Sequence, residues 1–317
     1  MRINLVTCII ITLSMVICPF AAIADKNKSV HTAESVAENQ ADDEYISVMS
    51  ARTGKVSKVE MREYIIGCVA AEMSPLYHTE ALKAQAVACY TYAKRISENK
   101  DSGNADITDS PDTHQGYTDK DGRREKWGEK FEEYEKKIST AVDDVFGEFM
   151  SFDGETVLAV YHANSTGRTQ SAENLWGSPI PYLTSVESPG DRLAPDFQST
   201  DVFDESEFKK ILEECGVLVT DDADEWIEKV NADDGGYVSS LLICGKEISG
   251  SDFRENAGLR SSCFEIRHKN GGFTITCKGY GHGVGMSQYG ADYMARQGFD
   301  YKQILEHYYC GVNFEGG

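Results

Sequence analysis

Proline is scarce in this chain, 7 among 317 residues, and no collagen-like period, low-complexity core, heptad array or internal repeat is present. Positive charge is also short: 31 Lys and Arg stand against 52 Asp and Glu, a net charge of −21. That imbalance disfavours gripping nucleic acid through a general basic surface, and docking the folded body on an anionic membrane. The 9 cysteines include no C-x-x-C pair, so neither a zinc ribbon nor a dithiol redox motif is suggested. What the chain does hold is 41% apolar and 10% aromatic residues, enough to bury a substantial core in one large domain or two intimate lobes.

The N-terminus sets the compartment. Arg2 precedes an apolar run from Ile3 to Ala24, and Ala22-Ile23-Ala24 before Asp25 fits the small-x-small rule of signal peptidase. The run is also about the 20 residues needed to cross a bilayer. Residues 1–24 are therefore read as a cleaved signal peptide or an uncleaved transmembrane anchor. Either one puts the rest of the chain outside the cytoplasm, anchored to the cell membrane or secreted to the wall. Residues 25–44 are nearly free of apolar anchors and read as a flexible linker. Without Cys8 and Cys18 seven cysteines remain, an odd number. Cys263 and Cys277 flank Asn270-Gly271-Gly272 and are placed to face one another across a hairpin. Buried free thiols are the plainer reading for most of the seven.

From Tyr45 onward helical and extended patterns alternate irregularly, which favours an α+β domain over 45–317 rather than a doubly wound parallel sheet. Tyr45–Ser50 and a second short piece after Lys55 read as extended. Met61, Ile65 and Cys68 form the stripe of a helix that Met73-Ser74-Pro75 ends. A second helix opens at Thr79 as cap, with Leu82, Ala86, Cys89, Ala93 and Ile96 on one face and small residues on another. Asp101–Asp121 reads as a surface loop, Lys126–Val145 as a charged helix and Thr156–Ala163 as a buried strand. Phe203–Cys215 and Asp222–Asn231 read as acidic helices. Strands are expected at Tyr237–Cys244, Cys263–His268 and Gly272–Lys278, then a last helix near Ser287–Gln297, ahead of Tyr301–Tyr309.

Three stretches carry possible chemistry. Glu72 extends the Met61, Ile65, Cys68 stripe by one more step of four, so a carboxylate stands where an apolar side chain is expected. It also lies in the last helical turn. Burial and the negative end of the helix dipole both disfavour its ionised form, as a general acid requires. The alternative is a helix that ends early and leaves Glu72 solvated. Tyr161–Thr169 is a strand end breaking into a polar loop, Asn164-Ser165-Thr166-Gly167, of the kind that presents amides and hydroxyls to a ligand. An ordinary turn fits it as well. It is not a G-x-S-x-G elbow, so a serine hydrolase using Ser165 and His162 has weak support. Residues 279–290 place five glycines in twelve positions between a strand and a helix. They lack both a G-x-G-x-x-G placement and a Gly-Lys-Ser end, so nucleotide binding is weak. His282, Ser287 and Gln288 offer neutral hydrogen-bonding groups beside Tyr280 and Tyr289, which suits a sugar better than a phosphate. Tight packing of helix on sheet explains the glycines equally well.

Together the stretches resemble the SpoIID/LytB family. The matching residues are Ala71-Glu72-Met73, Glu80–Ala88, Leu175-Trp176-Gly177, Pro181–Ser188, Gly258–Ser261 and Gly281–Ala291, ending in His307-Tyr308-Tyr309. The resemblance covers roughly residues 45–317. It implies a domain with a substrate cleft between two lobes and an extracytoplasmic lytic transglycosylase acting on peptidoglycan glycan strands. It places the catalytic acid/base at Glu72. Ser165, Gly167, Thr169, His282, Ser287, Gln288 and Tyr289 are then expected to bind substrate. No cofactor is implied. A partner amidase and the membrane partners of a sporulation engulfment complex are. Some relatives in the family look like non-catalytic amidase enhancers, which is the competing reading. Other relatives look like they hold zinc around the segment matching Asp106–Tyr117. Here that segment has His114 and no cysteine, so no structural metal is expected.

Overall fold

The structure, a computed structural model, describes residues 44–99, 104–111 and 113–317. The signal-or-anchor segment 1–24 and the linker lie outside the described residues, apart from Glu44. Among the described residues no helix is long and apolar enough to cross a membrane.

Ile46 and Val48 alternate inward along β1 (Tyr45–Met49), which pairs antiparallel with β2 (Val56–Glu60). Helix α1 (Met61–Glu72) follows and is buried almost all round, Tyr64 through Ala70 included. Helix α2 (Thr79–Glu98) turns alanines Ala81, Ala84 and Ala88, each 0% exposed, toward its neighbours. Its N-cap is His78, whose Nδ1 accepts the Glu80 amide at 3.3 Å, one residue before the expected Thr79. The expected surface loop holds the short β3 (Ile107–Thr108), parallel to β1. The single charged helix read over 126–145 is two helices, α3 (Lys120–Trp127) and α4 (Phe131–Asp143). Gly128, at φ +52°, breaks the run between them.

The buried strand expected over 156–163 is interrupted. β4 (Phe149–Phe152) pairs with β5 (Glu155–Thr156), and β6 (Tyr161–His162) belongs to another sheet. A one-turn helix α5 (Ala172–Trp176) follows. β7 (Gln198–Asp204) takes the start of the helix expected at Phe203, and α6 (Glu205–Glu214) begins only at a capping box on Asp204. The helix expected over 222–231 is wrong. Only Ala223–Glu225 turns as 3-10, and β8 (Ile227–Ala232) pairs with β9 (Val238–Ile243) through a bulge that blurs its alternation. β10 (Lys246–Ser249) and α7 (Gly250–Asn256) complete that layer.

β11 (Phe264–His268) and β12 (Gly272–Lys278) form the expected hairpin, and β12 also pairs with β7. Its register pairs Phe264 with Cys277, so Cys263 and Cys277 are offset by one residue and point to opposite faces. They do not face one another, and both are free thiols. β13 (Met286–Ser287) runs parallel to β6 and leads into α8 (Gln288–Arg296). Then come α9 (Tyr301–Tyr308) and β14 (Asn313–Glu315), which pairs with β4. The α+β class holds, with several small sheets rather than one large one.

Among the described residues two hydrophobic cores result. One gathers α1, α2, α4, α8 and α9 with residues from Ile46 to Val312. The other is drawn entirely from residues between Phe203 and Cys277. The second core is therefore an insertion in the first.

Candidate active site

Glu72 is the last residue of α1, whose C-cap Met73 is already extended and whose last turn has no basic residue. Its Oε1 accepts the backbone N–H of Gly116 at 2.6 Å, and the Gln288 side chain hydrogen-bonds to the same carboxyl. Burial pushes the carboxyl above the usual glutamate range. The two amide donors and the Lys126 charge pull the other way. Lys126 is itself tied to the end of α1, donating to the Ala70 carbonyl at 2.9 Å.

Two glycines bring Gly116 to that carboxyl. A Cβ on Gly67 would meet the Tyr117 ring at 2.4 Å and the Thr118 carbonyl at 2.6 Å, so segment 115–118 lies directly on α1. A Cβ on Gly116 would meet Glu72 Oε1 at 2.8 Å. Arg123, 0% exposed, clamps the segment from behind. It donates to the Thr118 carbonyl at 3.0 Å and to Glu63 and Glu135 at 2.7–2.8 Å. His114, from the same segment, accepts the Thr108 amide at 3.2 Å on Nδ1.

Of the expected substrate residues, Gln288 is the one that hydrogen-bonds to Glu72. Ser165, Thr169 and Ser287 are at most 1% exposed, and their hydroxyls have internal partners. Ser165 and Ser287 bind opposite oxygens of Asp191, which is 0% exposed; Ser287 Oγ lies 2.7 Å from Oδ1 and the Ser165 amide 2.7 Å from Oδ2. Thr169 Oγ1 accepts the Val186 amide at 2.9 Å. Gly167 is packed on Arg192. These residues build the scaffold that holds the two loops. His282 donates to the Tyr161 carbonyl and accepts the Val284 amide at 3.1 Å. Burial pulls it down to about 3. Tyr289, half-buried, donates to the Leu193 carbonyl and meets Tyr77 edge-on.

The glycines of 279–290 are mainly packing positions. Gly285, at φ +72°, would put a Cβ 2.0 Å from the Val160 carbonyl, and Gly281 one 2.8 Å from His162. An open cavity of about 840 Å³ lies beside Thr166 and Arg168, yet Glu72, His282 and Gln288 do not line it. Asp191, Gln115 and Arg123 are not legible as site residues in the sequence. Each also has a partner 12 or more positions away, which no local pattern reports.

Residues 49–152, which include Glu72 and Gly116, match the family described as SpoIID: Stage II sporulation protein. The chain is 37% identical over 295 residues to stage II sporulation protein D of Bacillus amyloliquefaciens, covering 90% of this chain and 84% of that one. The chain belongs to the SpoIID family. Stage II sporulation protein D of Bacillus subtilis (strain 168) is 36% identical over 271 residues, or 84% of this chain and 78% of its own length. An amidase enhancer of the same organism is similar at 24% over 296 residues, which covers 78% of this chain but 39% of the enhancer.

Proposed function

We propose that this SpoIID-family chain is a peptidoglycan lytic transglycosylase working outside the cytoplasm. It would cut glycan strands at the bond from N-acetylmuramic acid to N-acetylglucosamine. The observation that carries the reading is the Glu72 carboxyl, biased by burial toward its protonated form and held by two amides rather than by a second carboxylate. Glycosidases normally use a carboxylate pair. One suffices when the muramic acid's own C6 hydroxyl attacks C1. Glu72 then protonates the leaving glycosidic oxygen as the C1–O bond breaks. The resulting carboxylate takes the C6 hydroxyl proton, which restores the acid, consumes no water and leaves a 1,6-anhydro end. The setting would be wall remodelling in sporulation, with an amidase that strips stem peptides and membrane-bound engulfment partners.

Similarity to the amidase enhancer favours one second reading, a wall-binding role without turnover. Incubating purified protein with glycan strands and analysing the products by mass spectrometry separates the two. Anhydromuramic ends are expected. Intact strands that nonetheless co-sediment with the protein would select the binding role.

A further inference from the structure

A chain of hydrogen bonds runs from the segment that holds the Glu72 carboxyl round to Gln288, the second amide on that carboxyl. Gly116 donates its N–H to Glu72, and the adjacent Gln115 accepts the Tyr161 hydroxyl on Oε1 at 3.0 Å. The Tyr161 oxygen accepts from the Cys89 thiol at 3.7 Å, and the Cys89 sulfur accepts Gln85 Nε2 at 3.3 Å. Gln85 Oε1 accepts Gln288 Nε2 at 3.4 Å, and the Gln288 side chain returns to Glu72. Gln85 and Cys89 are 0% exposed.

The sense of these bonds is fixed from one end. Gln115 Nε2 is committed to the Tyr64 hydroxyl and the Cys89 carbonyl, so its oxygen must face Tyr161. Tyrosine has one hydroxyl proton, which that oxygen takes, so the thiol must donate to Tyr161. The Cys89 sulfur is then left as acceptor for Gln85, and the Gln85 oxygen as acceptor for Gln288.

We infer that Gln85 is a positioning residue: its carboxamide oxygen holds the Gln288 amide so that an N–H, not the carbonyl, faces Glu72. The inference rests on the reading of Glu72 as acid and base, because only a cycling carboxyl needs a partner that suits both its states. A donor N–H can serve the carboxylate and the carbonyl oxygen of the acid alike. A flipped Gln288 would instead accept the Glu72 proton in a hydrogen bond and withhold it from the leaving oxygen. Among the described residues, the titratable or charged groups that interact electrostatically with Glu72 are Cys68 on α1, Cys89 on α2, Tyr161 on β6 and Lys126 on α3. Burial raises the first three, Cys89 to about 12, so they stay neutral where a glutamate titrates.

The test is Gln85→Leu in the full chain, read by 13C-carboxyl NMR titration of Glu72 and by glycan-strand kinetics. The titration midpoint is expected to move to higher pH, and kcat to fall about 10-fold with KM unchanged, the scale of lost outer-shell support elsewhere. The Gln85→Leu/Gln288→Leu double variant should be no slower than Gln288→Leu alone, since both act through one group. A folded Gln85→Leu with an unmoved midpoint, or losses that multiply in the double variant, overturns the inference. If the Gln85→Leu variant does not fold, Gln85→Met preserves length without the amide and carries the same expectations. The titration needs no glycan, so the two ideas fail separately. A shifted midpoint in a protein inert on glycan sinks the transglycosylase reading alone, and an unmoved midpoint in an active one sinks the role of Gln85.

Discussion

Gly116 and Glu72 are 44 residues apart in sequence and joined by a 2.6 Å hydrogen bond, with no room for a methyl group between them. The carboxyl is thus positioned by backbone, the least adjustable donor a protein has. Gly116→Ala should displace Glu72 and lower glycan cleavage at least about 10-fold, on the scale of a misplaced reacting group. Thermal stability should fall by about 1–3 kcal/mol, as for modest overpacking. Unchanged turnover would show that the contact does not matter to the reaction.

Glu72→Gln keeps size and shape and removes the transferable proton. With one residue serving as both acid and base, loss should approach the upper end of about 10²–10⁴-fold. Unfolding stability should hold or rise above pH 4.5. The folded carboxyl titrates above its unfolded value, so the ionised side chain costs stability as pH rises through that window. A well-folded but inert variant is the expected result in parallel calorimetry and product assays. Near wild-type cleavage would remove Glu72 from the reaction.

Asp191 should behave as a structural residue. Asp191→Ala strands the buried donors of Ser165 and Ser287, at a cost of about 3–5 kcal/mol read by denaturant unfolding. A cost below about 1 kcal/mol would show that these loops do not depend on it.

Acid should loosen the first core through its histidines. Burial holds His162 down to about 4 and His282 to about 3, so both are neutral in the fold. Below pH 6.5 the unfolded chain binds protons that the folded chain refuses. The contribution is therefore full above 6.5 and lost as pH falls toward 4 and then 3. For His162 it is on the order of 3 kcal/mol. His162→Asn, which keeps a donor for the Val284 carbonyl, should flatten that part of the stability–pH curve. An unaltered slope would assign the acid sensitivity elsewhere.

The carboxyl of Glu72 is readable in the sequence because helices repeat, and a polar residue on the stripe Met61, Ile65, Cys68 declares itself. The hairpin at 264–278 is readable from alternation around Asn270-Gly271, though its register is not, because a one-residue shift changes no composition. β8 escapes such reading because its bulge and its run of charges hide the period of two. Ser165 and Ser287 look like ligand groups because a hydroxyl on a loop has the same sequence whether it meets a sugar or a buried Asp191. What the sequence withholds is what only long-range approach creates.

The chain leaves the first core at Phe197 and returns at Gly279, and the Gly279 N–H donates to the Phe197 carbonyl at 2.8 Å. Beyond that bond, Tyr161 must find Met286 to align β6 with β13. Until the insertion folds, this pairing has to close a long flexible loop, an entropic cost that grows with loop length. Once the insertion closes on its own strands, the ends are one hydrogen bond apart and the remaining search is short. The inserted core should therefore set the pace of folding. Weakening it, for example at Phe208 or Phe273, which stack at 3.9 Å, should slow the appearance of the Glu72 site even though neither residue belongs to it.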